Sequence, residues 1–412
     1  MIAQVYMDYN ATTPLRPEVK KLMVEALDIF ANASSMHEAG RRARAEIEKA
    51  RSAVAALVGA PDPQEIYFTS GGSESNNTVF QTMYDIGRKG SRRKILTSAI
   101  EHPCVMNAAA YLAEEGFEVV YLAVDGDGRI DMDMYRRELG PDVLLVSVMA
   151  ANNEIGTVED IRSLAELAKA NGAYFHTDAT QAVGKLPLSV LGLGVDYLTM
   201  SCHKIYGPKG VGALYVRSGS PIVPLIRGGH QENGVRAGTY NNLGILGFGK
   251  AAELALSDLE SFGSRLMGLR NRLRDGLLAS IPHIRINGHP TEVLPNTLNV
   301  SFPGAEGEAI LLSLDLEGIR VSTGSACASG SLEPSHVLLA TGLGPELAHG
   351  SIRFSLGRDT TEAEVDYVLE KLPPIIARLR RMSTVTAAVA PEDVSDSAAA
   401  IALRTPSENE RK

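Results

Sequence analysis

Short continuous apolar runs alternate along this chain with longer stretches in which apolar residues recur at helical spacing. From Pro17 the pattern predicts a helix with Val19, Leu22, Met23, Ala26, Leu27 and Phe30 on one face and proline at its first position. A second helix, over residues 38–57, buries Ile47, Val54 and Leu57 and turns Arg41, Arg42 and Arg44 outward. Apolar runs at 65–69, 94–98, 118–122, 143–148, 173–177, 195–200 and 211–216 read as strands covered on both faces. Helical segments separate several of them, such as 160–170 with Ile161, Leu164, Ala165 and Ala168. This alternation predicts an α/β fold around a largely parallel sheet. Residues 1–10 read as a further strand, with Val5, Met7 and Tyr9 alternating with polar neighbours.

A long helical pattern over 249–278 bridges to a second unit with fewer strands, at 283–287, 297–302 and 352–356. Its helices are expected at 306–316 and 361–372. The last opens with a capping box from Thr361 to Glu364 and is expected to break at Pro373 and Pro374. The organisation expected is a large unit over 15–255 and a small unit made of 1–14 with 256–382. Residues 383–412, rich in Ala, Ser, Glu and Pro and without aromatics, are expected to form a disordered tail.

Composition narrows the class. Of 412 residues, 44% are hydrophobic and 22% charged, which suits a soluble globular protein with a large core. The net charge of −9 is dispersed along the chain, which argues against a nucleic-acid or anionic-membrane partner. No basic segment followed by an apolar stretch opens the chain, and no apolar run is long enough to span a bilayer. Three cysteines, Cys104, Cys202 and Cys327, cannot build a disulfide framework, so a reducing cytoplasm is the expected setting and at least one thiol is free.

Four loops follow predicted strands, where open α/β sheets bind ligands. Thr69-Ser70-Gly71-Gly72-Ser73-Glu74-Ser75-Asn76-Asn77 joins a strand to a helix. Its glycines admit an anion close to the backbone, the helix start offers N–H groups, and Ser73 adds a hydroxyl. A plain turn with an N-cap serine accounts for the same residues. Without Gly-Lys-Ser/Thr, a nucleoside-triphosphate loop is disfavoured. Ala99-Ile100-Glu101-His102-Pro103 holds His102 at a sheet edge, where a lone histidine is more often structural. Tyr174-Phe175-His176-Thr177-Asp178-Ala179-Thr180-Gln181 ends an apolar strand on a carboxylate that needs a cation. A neighbouring Arg or Lys would serve Asp178, and so would the protonated ring nitrogen of a pyridoxal cofactor. Ser201-Cys202-His203-Lys204-Ile205-Tyr206-Gly207-Pro208 sets Lys204 in a turn between two strands. Solvated lysines are common, yet one fixed at a strand end after a buried aspartate suits a Schiff-base role.

Together with Asn152-Asn153-Glu154-Ile155-Gly156, these motifs resemble the cofactor motifs of cysteine desulfurases of the NifS/IscS type. The resemblance runs from Tyr6-Met7-Asp8-Tyr9-Asn10-Ala11-Thr12-Thr13-Pro14 to about Arg381. It implies the aspartate-aminotransferase-like fold type I of pyridoxal-phosphate enzymes, with a seven-stranded large domain and a smaller α/β domain. It also implies roles. Lys204 would carry pyridoxal 5′-phosphate covalently and move the substrate Cα proton. Asp178 would hold the ring nitrogen charged, His102 would stack on the ring, and Asn153 and Gln181 would bond its oxygen. Gly72, Ser73, Ser201 and His203 would hold the phosphate, with Thr239 reaching in from the partner of a homodimer. Arg353 would clamp the substrate carboxylate, helped by Asn32. Ser73 stands where the family has threonine, and Ala33 follows Asn32 where it has proline.

Cys327 lies in Ser322-Thr323-Gly324-Ser325-Ala326-Cys327-Ala328-Ser329-Gly330-Ser331, where small residues shield a thiol poorly. Such a cysteine is reactive or merely incidental to a flexible loop. The resemblance makes Cys327 the acceptor of sulfur from L-cysteine. It would become a persulfide that serves an iron–sulfur scaffold of the NifU or IscU type, and would be a transient ligand of the cluster during transfer. Cys104 and Cys202 read as structural, with Cys202 close enough to the cofactor to be modified. An aminotransferase or a selenocysteine lyase on the same fold, and a non-catalytic sulfur carrier, are the alternatives. The segments Gly228-Gly229-His230-Gln231-Glu232-Asn233, His349-Gly350-Ser351 and Leu372-Pro373-Pro374-Ile375-Ile376 resemble the nitrogen-fixation branch more than the housekeeping one.

Overall fold

In a computed structural model the described residues are 4–323 and 333–382. The chain opens on a short strand, β1 (Val5–Tyr6), and then lays down seven strands of one sheet. These are β2 (Ile66–Thr69), β3 (Lys94–Ser98), β4 (Glu118–Leu122), β5 (Val143–Ser147), β6 (Tyr174–Asp178), β7 (Tyr197–Ser201) and β8 (Gly212–Val216). Their order across the sheet is β2-β8-β7-β6-β5-β3-β4. β8 runs antiparallel to both its neighbours, and every other pairing is parallel. The expected apolar runs therefore fall on the observed strands, and β5, β7 and β8 are buried along their whole length because helices cover both faces.

Four further strands follow among the described residues: β9 (Arg285–Asn287), β10 (Thr297–Ser301), the two-residue β11 (Ile319–Arg320) and β12 (Ser351–Ser355). β10 lies between β12 and β9 in an antiparallel sheet, and β1 pairs parallel with β11. The strand expected over residues 1–10 is thus confined to Val5–Tyr6 among the described residues. Beyond it, Asp8 makes only an isolated bridge to Ser355, because the segment turns to bring Asn10 toward the large sheet.

A 39-residue helix, Asn242–Ser280, starts earlier than the pattern predicted and links two cores. Its first turns bury Ile245, Leu246 and Phe248 in the core of the large sheet. Its later turns bury Leu266, Leu269, Leu273 and Leu277 with Val5, Met7, Leu298, Phe354 and Val368. Each such leucine contributes about 1.5–3 kcal/mol on leaving water. Gly249 lets this helix press on helix Glu38–Val58, since a Cβ there would lie 2.5 Å from the Ala50 Cα. From these two cores we propose the large unit at 15–255 and the small unit at 1–14 with 256–382. The expected tail, residues 383–412, lies outside the described residues.

The predicted break at Pro373 and Pro374 does not occur: one helix runs Glu362–Met382 with both prolines inside. Leu372, Ile375 and Ile376 are buried on its inner face, and Arg380 bonds the carbonyls of Pro303, Pro282 and His283. Packing and this anchor outweigh the lost backbone hydrogen bonds of the prolines. Among the described residues no helix is long and apolar enough to cross a membrane.

Candidate active site

The carboxyl ends of β2, β3, β6 and β7 converge on a cavity of about 300 Å³. Its lining includes Gly72, Ser73, His102, Asn153, Asp178, Gln181, Ser201, His203, Lys204 and Arg353. Ten of the residues singled out in the sequence therefore share one cavity. Thr239 and Asn32 do not line it; both are exposed, and Asn32 accepts a hydrogen bond from the Ser34 amide at 2.9 Å. Cys327 lies outside the described residues.

The helix Gly72–Lys89 begins at the cavity, and its N-cap, Gly71, supplies no side-chain cap. The first-turn amides and the positive end of the helix dipole therefore suit an anion. A side chain at Gly72 would come within 3.1 Å of Thr180 Oγ1. Gly212 on β8 is equally constrained, because its Cβ would sit 2.7 Å from the Gly71 backbone. Ser201 and His203 stand beside this helix start in the cavity wall. Burial, with Lys204 and Lys209 adding, lowers the His203 pKa to about 4, so its imidazole is neutral near pH 7.

Asp178, at the end of β6, is 6% exposed. Asn76 Nδ2 donates to it at 2.7 Å and the Thr180 amide at 2.9 Å. Among the described residues no ion pair of Asp178 is seen, and Lys204 lines the same cavity. A buried carboxylate with neutral donors alone is costly unless a cation enters the cavity.

Lys204 stands in the short turn Cys202–Lys204 and donates from Nζ to the backbone oxygens of Asn10 at 2.5 Å and Ala11 at 2.8 Å. His102 caps helix Pro103–Glu114, its Nδ1 accepting from the Cys104 amide at 3.2 Å. Burial lowers its pKa; Lys204 and His336 add to this, and Asp178 opposes it. Arg353 donates to Asp8 at 2.7 Å and to the carbonyl of Asn153 at 3.0 Å, and its buried Nε has no partner among the described residues.

The structure also shows residues that the sequence reading passed over. Asn10 donates to the Asn153 carbonyl and to Thr297 Oγ1, and accepts from Gln181, Lys185, Asn296 and Lys204. It sits in the quoted opening motif, but its partners are far away in sequence, so no local spacing signals its role. Of the two described cysteines, Cys202 is fully buried outside the cavity lining, as a structural residue would be, and burial raises its pKa, whereas Cys104 lines the cavity.

The family model described as aminotransferase class-V matches residues 5–368. A curated relative from Dictyoglomus turgidum, named cysteine desulfurase IscS, is 50% identical over 385 residues, covering 93% of this chain and 97% of that one. The chain belongs to the class-V aminotransferases, among the cysteine desulfurases. A cysteine desulfurase from Cereibacter sphaeroides is 51% identical over 382 residues, with 92% and 97% covered. A solved structure titled NIFS-like protein superposes with a TM-score of 0.85 at 39% identity, covering 91% of this chain and 100% of that one. The shared architecture is fold type I. The cofactor of this family is pyridoxal 5′-phosphate, and the cavity fits it: an uncapped helix start suits the phosphate, and the buried carboxylate of Asp178 suits the ring nitrogen.

Proposed function

We propose that this chain takes sulfur from L-cysteine, releasing L-alanine and leaving a persulfide on Cys327. In that exchange the substrate C–S bond breaks, a bond forms to the Cys327 sulfur, and the thiol protons end on alanine and the persulfide. The observation that carries this reading is the meeting of Lys204, His102 and buried Asp178 in one cavity. Bound pyridoxal phosphate supplies an electron sink for the substrate Cα.

The chain's own residues do the rest. Lys204 holds the cofactor and moves the Cα proton, and Asp178 keeps the ring nitrogen protonated. His102 would cover the ring, and Asn153 and Gln181 would face its oxygen. The Gly72 and Ser73 end of the helix, with Ser201 and His203, holds the phosphate. Arg353, its direction set by Asp8, meets the substrate carboxylate.

The assembly we infer is a homodimer. Thr239 and Asn32 lie on the surface, away from this chain's cavity, where they can serve a partner's. Beside Asn32, Phe30 and Met36 are 88% and 90% exposed, which is unusual for large apolar residues without a partner. We place the protein in the reducing cytoplasm. Its sulfur acceptor is a scaffold for iron–sulfur clusters, with nitrogenase assembly the favoured branch on the segments quoted above. The test is to load the protein with pyridoxal phosphate and supply L-cysteine with dithiothreitol. Alanine and sulfide should form in equal amounts, and alanine without sulfide would refute the reading.

A further inference from the structure

Lys185 is 5% exposed, and none of the roles above uses it. It stands four residues after Gln181, where the chain leaves the end of β6. Its Nζ donates to Gln181 Oε1 at 2.7 Å and to Asn10 Oδ1 at 3.1 Å. Among the described residues no carboxylate pairs with it. A small space on its other side is lined by Arg16, Asp258 and Arg358, and Asp258 is already held by Arg16 at 2.5 Å. Burial, with Lys204 and Arg353 adding, pushes the pKa of Lys185 well below that of an ordinary lysine. A neutral amine has two N–H bonds, which matches its two acceptors.

The bond to Oε1 has a consequence for Gln181. With its oxygen held by Lys185, the amide has one direction left. One N–H of Nε2 goes to the Asn10 carbonyl at 3.0 Å, and the second is what Gln181 can offer the cavity it lines. Turned the other way, the amide would show the cavity an acceptor. Asn10 is fixed in the same network, since Asn296 donates to its Oδ1 at 3.0 Å and its backbone oxygen takes Lys204 at 2.5 Å.

We infer that Lys185 is a positioning residue: by occupying Gln181 Oε1 and Asn10 Oδ1, it makes Gln181 present an N–H donor to the ring oxygen of bound pyridoxal phosphate. This rests on reading the cavity as the cofactor site.

The experiment is a pH titration of the visible absorption of the holoprotein for the wild type, Lys185→Met, Lys185→Gln, Gln181→Leu and the Lys185→Met/Gln181→Leu pair. Cofactor affinity is read by fluorescence and folding by urea denaturation. Losing the donor to an anionic oxygen makes the bound cofactor more basic. Lys185→Met should therefore raise the midpoint by about half to one pH unit, the size of one hydrogen bond. Gln181→Leu should give the same shift and the pair no more. Lys185→Gln, which still has an N–H donor for Oε1, should keep the wild-type midpoint even if Lys185→Met does not fold. A wild-type midpoint in Lys185→Met, additive shifts in the pair, or a full shift in Lys185→Gln would overturn the assignment. A wild type that binds no cofactor would instead sink the cofactor-site reading itself.

Discussion

The guanidinium of Arg353 is held by Asp8, its Nη2 donating to the carboxylate at 2.7 Å. Arg353 is on β12 of the small sheet and Asp8 is in the opening segment, with an isolated bridge from Asp8 to Ser355 setting their register. The arginine side chain is 3% exposed and the aspartate 21%. The carboxylate clamp proposed for Arg353 needs a fixed direction, which the pair with Asp8 supplies.

Asp8→Asn should then raise KM for L-cysteine about tenfold, the loss of one charge-assisted hydrogen bond, with a smaller change in kcat. Steady-state kinetics separate the two. An unchanged KM would remove Asp8 from the site.

Asp178 has neutral donors and faces the cavity, so its charge serves whatever cation arrives. Asp178→Asn should keep the fold and the Asn76 contact but lower kcat/KM about 100-fold or more, because the charge proposed to keep the ring nitrogen protonated is gone. Urea denaturation and desulfuration assays on the same preparation check both halves.

Much of this site was legible in the sequence because each motif sits directly after an apolar run. The strand ends carry Asp178 and Ser201, and the turn after β7 carries Lys204. Asn10 and Asp8 were not legible as partners: their contacts to Lys185, Thr297 and Arg353 exist only once the opening segment lies between the two sheets. Pro373 and Pro374 were misread for a related reason, since local propensity gave way to the burial of Leu372, Ile375 and Ile376. Thr239 and Asn32, both exposed and outside the cavity lining, are not brought into the site within this chain.

Glu101, next to His102, is fully buried, with Ser98 and the Met149 amide donating to it at 2.6 Å and 2.8 Å. Burial raises its pKa to about 8 from an ordinary 4.5, with Asp178 adding, so it is folded as the neutral acid. The native state then binds a proton that the unfolded chain has lost, and this contribution is full below pH 4.5 and gone once pH passes 8. Glu101→Gln cannot lose a proton. Thermal denaturation of wild type against this variant should show wild type losing relative stability from pH 5 to about 8 and levelling off above. A constant difference across that range would contradict it.

Arg51 and Glu232 form a bidentate buried pair at 2.7 and 2.6 Å, with side chains 4% and 2% exposed. Glu232 has a φ of 48°, a strained value for a residue with a side chain, and lies in the segment that leads to exposed Thr239. Arg51→Met should cost about 3–5 kcal/mol by leaving Glu232 charged and buried. Arg51→Met with Glu232→Leu should recover part of it, read by urea denaturation.

Acceptance of the sulfur by Cys327 is tested in one paired assay. Wild type and Cys327→Ala are loaded with pyridoxal phosphate and given L-cysteine with dithiothreitol, and sulfide is followed beside the absorption of the bound cofactor. The variant should keep the cofactor absorption and release no sulfide. Sulfide at the wild-type rate from Cys327→Ala would contradict it and leave a lyase without a protein nucleophile.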